Sequence, residues 1–150
     1  MLTLIKLLLP ALAMWESSGD INAVGDFDKK LYTKEYITSV VVCNDIEQYR
    51  KIDPAIGMFQ IHWRYWSDGT AALKVKWPYK DAFNPVRAEA VTKAYLTKYG
   101  MHYERMTGQP VTLEVLARIH NGGPNGWKIK ATIRYWHIIE RILKRKLATK

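Results

Sequence analysis

An apolar run at the N-terminus limits what this chain can fold into more than any other feature. Residues 2–15 read Leu-Thr-Leu-Ile-Lys-Leu-Leu-Leu-Pro-Ala-Leu-Ala-Met-Trp, Lys6 is the only charge among them, and Glu16 follows at once. So much apolar surface has to leave water. The run is shorter than the roughly 20 apolar residues that a membrane-spanning helix needs. Lys6, the apolar stretch and the small-residue pattern Ala11-Leu12-Ala13 imitate a signal peptide, but cleavage after Ala13 would leave Glu16 three residues from a new terminus with no helix to hold it. We therefore expect a buried helix that leads into Glu16, no cleavable signal peptide, and a compartment left unassigned. Pro10 marks either a helix start or a kink.

The remainder is long enough to cover such a helix. A chain of 150 residues makes one domain, here 1–150, and buries roughly 70% of its unfolded surface without staples. Cys43 is the only cysteine, which excludes a disulfide framework and a zinc–thiolate site within the chain. The four histidines, at 62, 102, 120 and 137, show no His-Glu-x-x-His spacing, so neither a metal nor any other cofactor is expected. Formal net charge is +9, and the segment from Lys128 to Lys150, with eight basic residues against Glu140, supplies +7 of it. That balance suits a polyanion: nucleic acid, anionic membrane or bacterial wall. No zinc-finger or ribonucleoprotein motif supports nucleic acid, and a solvated tail is the ordinary alternative.

Local patterns sketch the elements. Residues 17–30 are turn chemistry and read as loop. Tyr36 to Cys43, β-branched and aromatic, predicts a strand. After Asp53-Pro54, a helix over Ala55 to Trp66 would put Ile56, Phe59 and Trp63 on one face, and 67–84 reads as mixed loop. Asn84 and Pro85 open a long helix with Val91, Ala94, Tyr95 and Tyr99 as its stripe, closed by Gly108-Gln109-Pro110. Thr112 caps the next, with Leu113, Leu116, Ala117 and His120 on one face, ended by Asn121-Gly122-Gly123-Pro124. The last helix, Thr132 to Lys144, turns Ile133, Trp136, Ile139 and Leu143 inward. The sum is α+β, mostly helical, with one small β region.

Chemistry centres on Glu16. A carboxyl against apolar neighbours resists ionisation, so it can keep a proton near neutrality and pass it to a leaving oxygen. Trp15 is the candidate apolar wall. An exposed Glu at a helix end is the ordinary alternative.

Three further segments shift the balance. Glu16-Ser17-Ser18-Gly19-Asp20, Asn22-Ala23-Val24-Gly25-Asp26 and Ala55-Ile56-Gly57-Met58-Phe59-Gln60-Ile61 resemble, in order, the catalytic-helix and cleft motifs of the lysozyme-like muramidases, among them soluble lytic transglycosylases and goose-type lysozymes. Ala117-Arg118-Ile119-His120-Asn121-Gly122-Gly123-Pro124-Asn125-Gly126-Trp127, with Ala131-Thr132 and Tyr135-Trp136, resembles the C-terminal signature of invertebrate-type lysozymes and their bacterial and phage relatives. The resemblance implies a lysozyme-like fold and cleavage of the β-1,4 bond between N-acetylmuramic acid and N-acetylglucosamine in peptidoglycan. It makes Glu16 the catalytic acid, gives Gly57 and Gln60 the Gly-x-x-Gln turn lining the cleft, and makes His120 and Asn121 sugar contacts. Amides at Gln60 and Asn121 suit sugar hydroxyls and N-acetyl groups, and Gly122 and Gly123 would let backbone approach closely.

The chain also departs from that pattern. Invertebrate-type lysozymes are rich in disulfides, and this chain has one cysteine. About thirty residues, including 29–53, intervene before Gly57, so the second carboxylate is open. Asp26, in the Gly-Asp position of the bacterial-type relatives, is preferred. Asp28, twelve residues after Glu16, is the runner-up, and Asp53 qualifies if the insertion folds back. A hydrolase uses that second carboxylate, whereas a lytic transglycosylase needs only Glu16. Trp63, Tyr65, Trp66, Trp77 and Tyr79 suit stacking on sugars, although most such residues are core. A monomeric enzyme is expected. The competing reading is a catalytically weak wall-glycan-binding module, its cleft occluded by the insertion.

Overall fold

In the computed structural model, which describes residues 1–149, seven α-helices accompany one two-stranded antiparallel sheet. Two units emerge: residues 1–15 together with those from Lys93 onward, and residues 16–92. No helix among the described residues is long and apolar enough to cross a membrane.

The N-terminal run is helix α1, Leu2–Ser17, with Pro10 inside it. Ile5, Leu8, Leu9, Ala11, Leu12 and Ala13 are buried, as the apolar pattern requires. Trp15 is 48% exposed and does not form the apolar wall expected of it. Asn84 opens α5, Pro85–Thr107, and its Oδ1 accepts from the amides of Val86 and Arg87 at 3.0 and 3.1 Å. In the first unit, Thr112 caps α6, Leu113–Gly122, by accepting from Val115 N at 3.2 Å. Helix α7, Thr132–Ala148, packs on α6 and runs one turn past Lys144. Its inward face differs from the expected one. Thr132, Tyr135, Ile139 and Leu143 are buried, while Ile133 is 36% exposed and Trp136 half-buried. The stripe is rotated because the Thr132 hydroxyl is drawn in to the carbonyls of Gly126 and Ile129, both at 2.7 Å.

The second unit departs further from expectation. Tyr36 to Cys43 is not a strand: α2 spans Lys34–Val42. Thr33 caps it by accepting from Tyr36 N at 3.1 Å, and Glu35 in the first turn complements the helix dipole. Ile37, Val40 and Val41, spaced i, i+3, i+4, are buried, so the helical period overrides β-branched propensity once a core lies on one side. Helix α3, Ile46–Ile52, follows from an Asp45 cap and ends at Asp53 in a left-handed conformation, φ 52°.

That pair of helices returns the chain to its start. Strand β2, Ala55–Ile56, pairs with β1, Val24–Gly25, in the register Val24↔Ile56 and Gly25↔Ala55. The expected helix over 55–66 is therefore strand, then a tight turn, then α4, Trp63–Leu73. Strand β1 lies in the expected loop 17–30. The expected loop 67–84 holds the rest of α4 and a 3-10 turn, Tyr79–Phe83. Tyr79 is fully buried against Tyr49, Trp63 and Trp66, and its hydroxyl lies 2.7 Å from Pro54 O and 2.6 Å from Ile61 O. One buried phenol thereby ties together both ends of the segment that follows the insertion.

Candidate active site

Glu16 occupies the last turn of α1 and is half-buried. The next residue anchors that turn: Ser17 Oγ donates to Met58 O at 2.9 Å. Met58 belongs to the Gly57–Gln60 turn, so the helix end that carries Glu16 is joined directly to the Gly-x-x-Gln motif.

The turn itself demands its residues. Gly57 has φ +74°, and a Cβ there would stand 2.1 Å from Ala82 O. Its N–H donates to Ala23 O at 2.9 Å, on the approach to β1. Gln60, also left-handed at φ 47°, donates to Gly57 O from its backbone N and from Nε2, each at 3.0 Å. A Cβ at Gly25 would come 2.4 Å from Gln60 Oε1, so the missing side chain on β1 is what lets the Gln60 amide lie across that strand.

Beyond this turn the hairpin ends in a cluster. Asp26 leaves β1 with φ 52°, and Asp53 precedes β2 by two residues. His62 joins them: Nε2 lies 3.0 Å from Asp26 Oδ2, and Nδ1 lies 3.0 Å from Asp53 O and 3.4 Å from Asp53 Oδ1. The hydrogen bond to Asp26 raises the His62 pKa above 6.5 against the opposing effect of burial, with the Asp53 charge assisting. The same hydrogen bond holds the Asp26 carboxyl below its ordinary 3.8, again against desolvation. Asp28 is exposed and serves a turn: its Oδ1 accepts from Lys30 N at 2.8 Å.

Glu16, Asp26, Gly57 and Gln60 thus share the second unit with Asp53, and the insertion does fold back. His120 and Asn121 belong to the first. His120, in the last turn of α6, is only 9% exposed, whereas Asn121 is exposed. Gly122 has a packing duty there, since a Cβ would meet Thr132 Cγ2 at 2.6 Å. Of the five aromatic residues, Tyr65, Trp66 and Tyr79 are core, and Trp63 and Trp77 are half-buried. Among the described residues no group of three His, Cys, Asp or Glu side chains is arranged to hold a metal.

His62 is absent from the residues expected to matter, because it fits no metal spacing and no position of the resembling motifs. A signal did exist. It stands two residues after Gln60, at the N-cap of α4, where Ser, Thr, Asp or Asn would ordinarily cap, and it makes no cap hydrogen bond.

The Destabilase family model matches residues 34–142. The chain belongs to the Destabilase family. Within the matched span fall Gly57, Gln60, His62, His120 and Asn121; Glu16 and Asp26 precede it. An invertebrate-type lysozyme of Ruditapes philippinarum is 33% identical over 87 residues, 57% of this chain and 59% of that protein. A lysozyme of Magallana gigas is 37% identical over 89 residues, 57% of this chain and 58% of that protein. The chain therefore spans less than two thirds of the length of these curated relatives. The crystal structure of Tapes japonica lysozyme superposes with a TM-score of 0.62 at 25% identity, over 91% of this chain and 89% of that one. The α+β, mostly helical, lysozyme-like architecture expected from the sequence is the one found.

Proposed function

We propose that this Destabilase-family chain, as one domain over 1–150, cleaves peptidoglycan at the β-1,4 bond between N-acetylmuramic acid and N-acetylglucosamine. Glu16 protonates the glycosidic oxygen as the bond breaks. Asp26 steadies the oxocarbenium-like charge on the sugar or positions the attacking water. The observation that carries the reading is the Ser17–Met58 hydrogen bond, which joins the helix end bearing Glu16 to the Gly57–Gln60 turn, and through Gly25 to the strand leading into Asp26.

The two carboxyl groups are suited to different roles. Asp26 is kept ionised by His62, as a group that answers developing positive charge must be. Its second oxygen, Oδ1, meets no protein donor among the described residues and stays available to substrate. Glu16 is half-buried in the last turn of an otherwise apolar helix, and the acid role assigned to it follows the resemblance. In this reading His120 and Asn121 keep the sugar-contact roles that the resemblance implies, and the basic face of α7 holds the enzyme to an anionic wall more weakly as salt rises. The enzyme works as a monomer and without a cofactor.

Purified protein incubated with cell-wall sacculi tests the reading. Wild type should release muropeptides, and Glu16→Gln should lower the rate on the order of 10³-fold with the thermal midpoint unchanged. Mass spectrometry of the products then separates the two chemistries: a 1,6-anhydro end marks a transglycosylase, a reducing end a hydrolase. Binding to sacculi without release by either protein would replace the enzyme with a glycan-binding module.

A further inference from the structure

We infer that His62 is a positioning residue for the reaction: it holds the Asp26 carboxylate through one proton placed between Nε2 and Oδ2. The inference rests on Asp26 being the second carboxylate. Hydrogen-bond bookkeeping carries the argument. Asp53 O is a backbone carbonyl and can only accept, so the 3.0 Å contact requires the proton on Nδ1. A neutral imidazole has no second N–H. With its proton on Nδ1, Nε2 would aim a lone pair at the lone pairs of Asp26 Oδ2, 3.0 Å away. The contact closes only when a proton lies between those two atoms, and two adjacent carboxylates favour the imidazolium form.

The surroundings agree. A cation at the start of α4 opposes the helix dipole, and an N-cap histidine forgoes the hydrogen bond that the position normally makes. Both carboxylates also sit on left-handed backbone, each at φ 52°, a region that residues other than glycine seldom occupy. Three local costs at one point mark a feature kept for its geometry. The other charged groups near the cluster are Arg50 and Lys51 from α3 and Arg64 from α4, which line a cavity of about 450 Å³ with Asp53 and Trp63. The Asp26 carboxyl lies nearer the ring than the Asp53 carboxyl, 3.0 against 3.4 Å, so Asp26 is the chief counter-ion of His62.

The consequence is a specific alkaline limit. As pH rises through the His62 pKa, the proton leaves, the clamp opens and Asp26 loses its fixed orientation. The test uses kcat and KM against pH on soluble glycan fragments from sacculi, together with an NMR titration of the His62 ring. His62→Ala should lower kcat roughly tenfold with little change in KM, as expected when a reacting group drifts by a fraction of an ångström. His62→Gln supplies a neutral donor near Nε2, so it should restore most of kcat and abolish the alkaline limb. Asp26→Asn should lower kcat and bring the His62 titration down toward 6.5. Wild-type kcat and pH profile in both His62 variants, with Asp26→Asn impaired, would overturn the role of His62 and leave Asp26 standing. An Asp26→Asn protein with full kcat would remove Asp26 itself, and the inference with it. Should a His62 variant fail to fold, a wild-type His62 that titrates at or below 6.5 overturns the inference without it.

Discussion

The signature at residues 117–132 and the hairpin end at residues 25–62 use their polar groups in opposite ways. In the signature, Arg118 and Thr132 spend theirs internally. Arg118 donates to Thr132 Oγ1 at 3.0 Å, to Glu114 Oε1 at 2.9 Å and to Ile129 O at 3.2 Å. A Cβ on Gly126 would lie 1.9 Å from Arg118 O. At the hairpin end, by contrast, Asp26 is 70% exposed along its side chain, Asp53 54% and His62 38%, with the two aspartates on left-handed backbone. The eleven-residue stretch with the most recognisable sequence is thus to a large degree a packing device. The Asp26 carboxyl and the His62 imidazole, both shifted in protonation, lie where the sequence match is shorter. A recognisable motif and a reactive one need not coincide, because dense packing restricts residue choice at least as strongly as chemistry does.

Three measurements would break or sharpen this contrast, in descending size. Gly126→Ala forces two backbones apart and should cost on the order of 3 kcal/mol, a fall in Tm of about 10 °C by calorimetry, with activity lost only as the folded fraction is lost. A Gly126→Ala protein of normal Tm but no activity would move the signature into the chemistry. Thr132→Val keeps the shape and removes the hydroxyl that links Arg118 to the Gly126 and Ile129 carbonyls, for a cost of about 2 kcal/mol in urea unfolding, again with kcat intact.

The smallest effect belongs to the hairpin end and is read in Tm against pH. The His62 pKa is raised in the folded state, so its stabilisation is fully present below 6.5 and lost as pH rises through the folded value. The Asp26 pKa is lowered, so its stabilisation is present above 3.8 and lost as pH falls through its folded value. The pair therefore contributes most between about 4 and 6.5. Because both side chains are partly exposed, the Tm change should be slight, and Asp26→Asn should flatten it.

Much of the helical framework was legible in the sequence. Asn84-Pro85, Thr112 and the close of α6 at Gly122 are local signals, settled by groups within four residues of each other. The apolar run after Met1 was expected to be a buried helix rather than a signal peptide, and Ile5, Leu8, Leu9 and Leu12 of that helix are buried. Two segments misled for one physical reason. Residues 36–43 carry strand propensity and residues 55–66 carry helical spacing, yet the partner surface decided both: a core beside Ile37, Val40 and Val41 selected helix, and β1 selected strand for Ala55–Ile56. On α7, a single threonine hydroxyl turned the stripe.

For the site the division is just as clear. The resemblance of its ordered motifs to the lysozyme-like muramidases picked out Glu16, Asp26, Gly57 and Gln60, and left Asp28 and Asp53 open as rivals to Asp26. Only the folded chain joined Asp26, Asp53 and His62, because 27 and 9 residues separate consecutive members, and their meeting depends on the path through α2 and α3. Capping and periodicity act over a few residues and can be read along a line. A proton held between an imidazole and a carboxylate depends on a distance of 3.0 Å, which no spacing in sequence encodes.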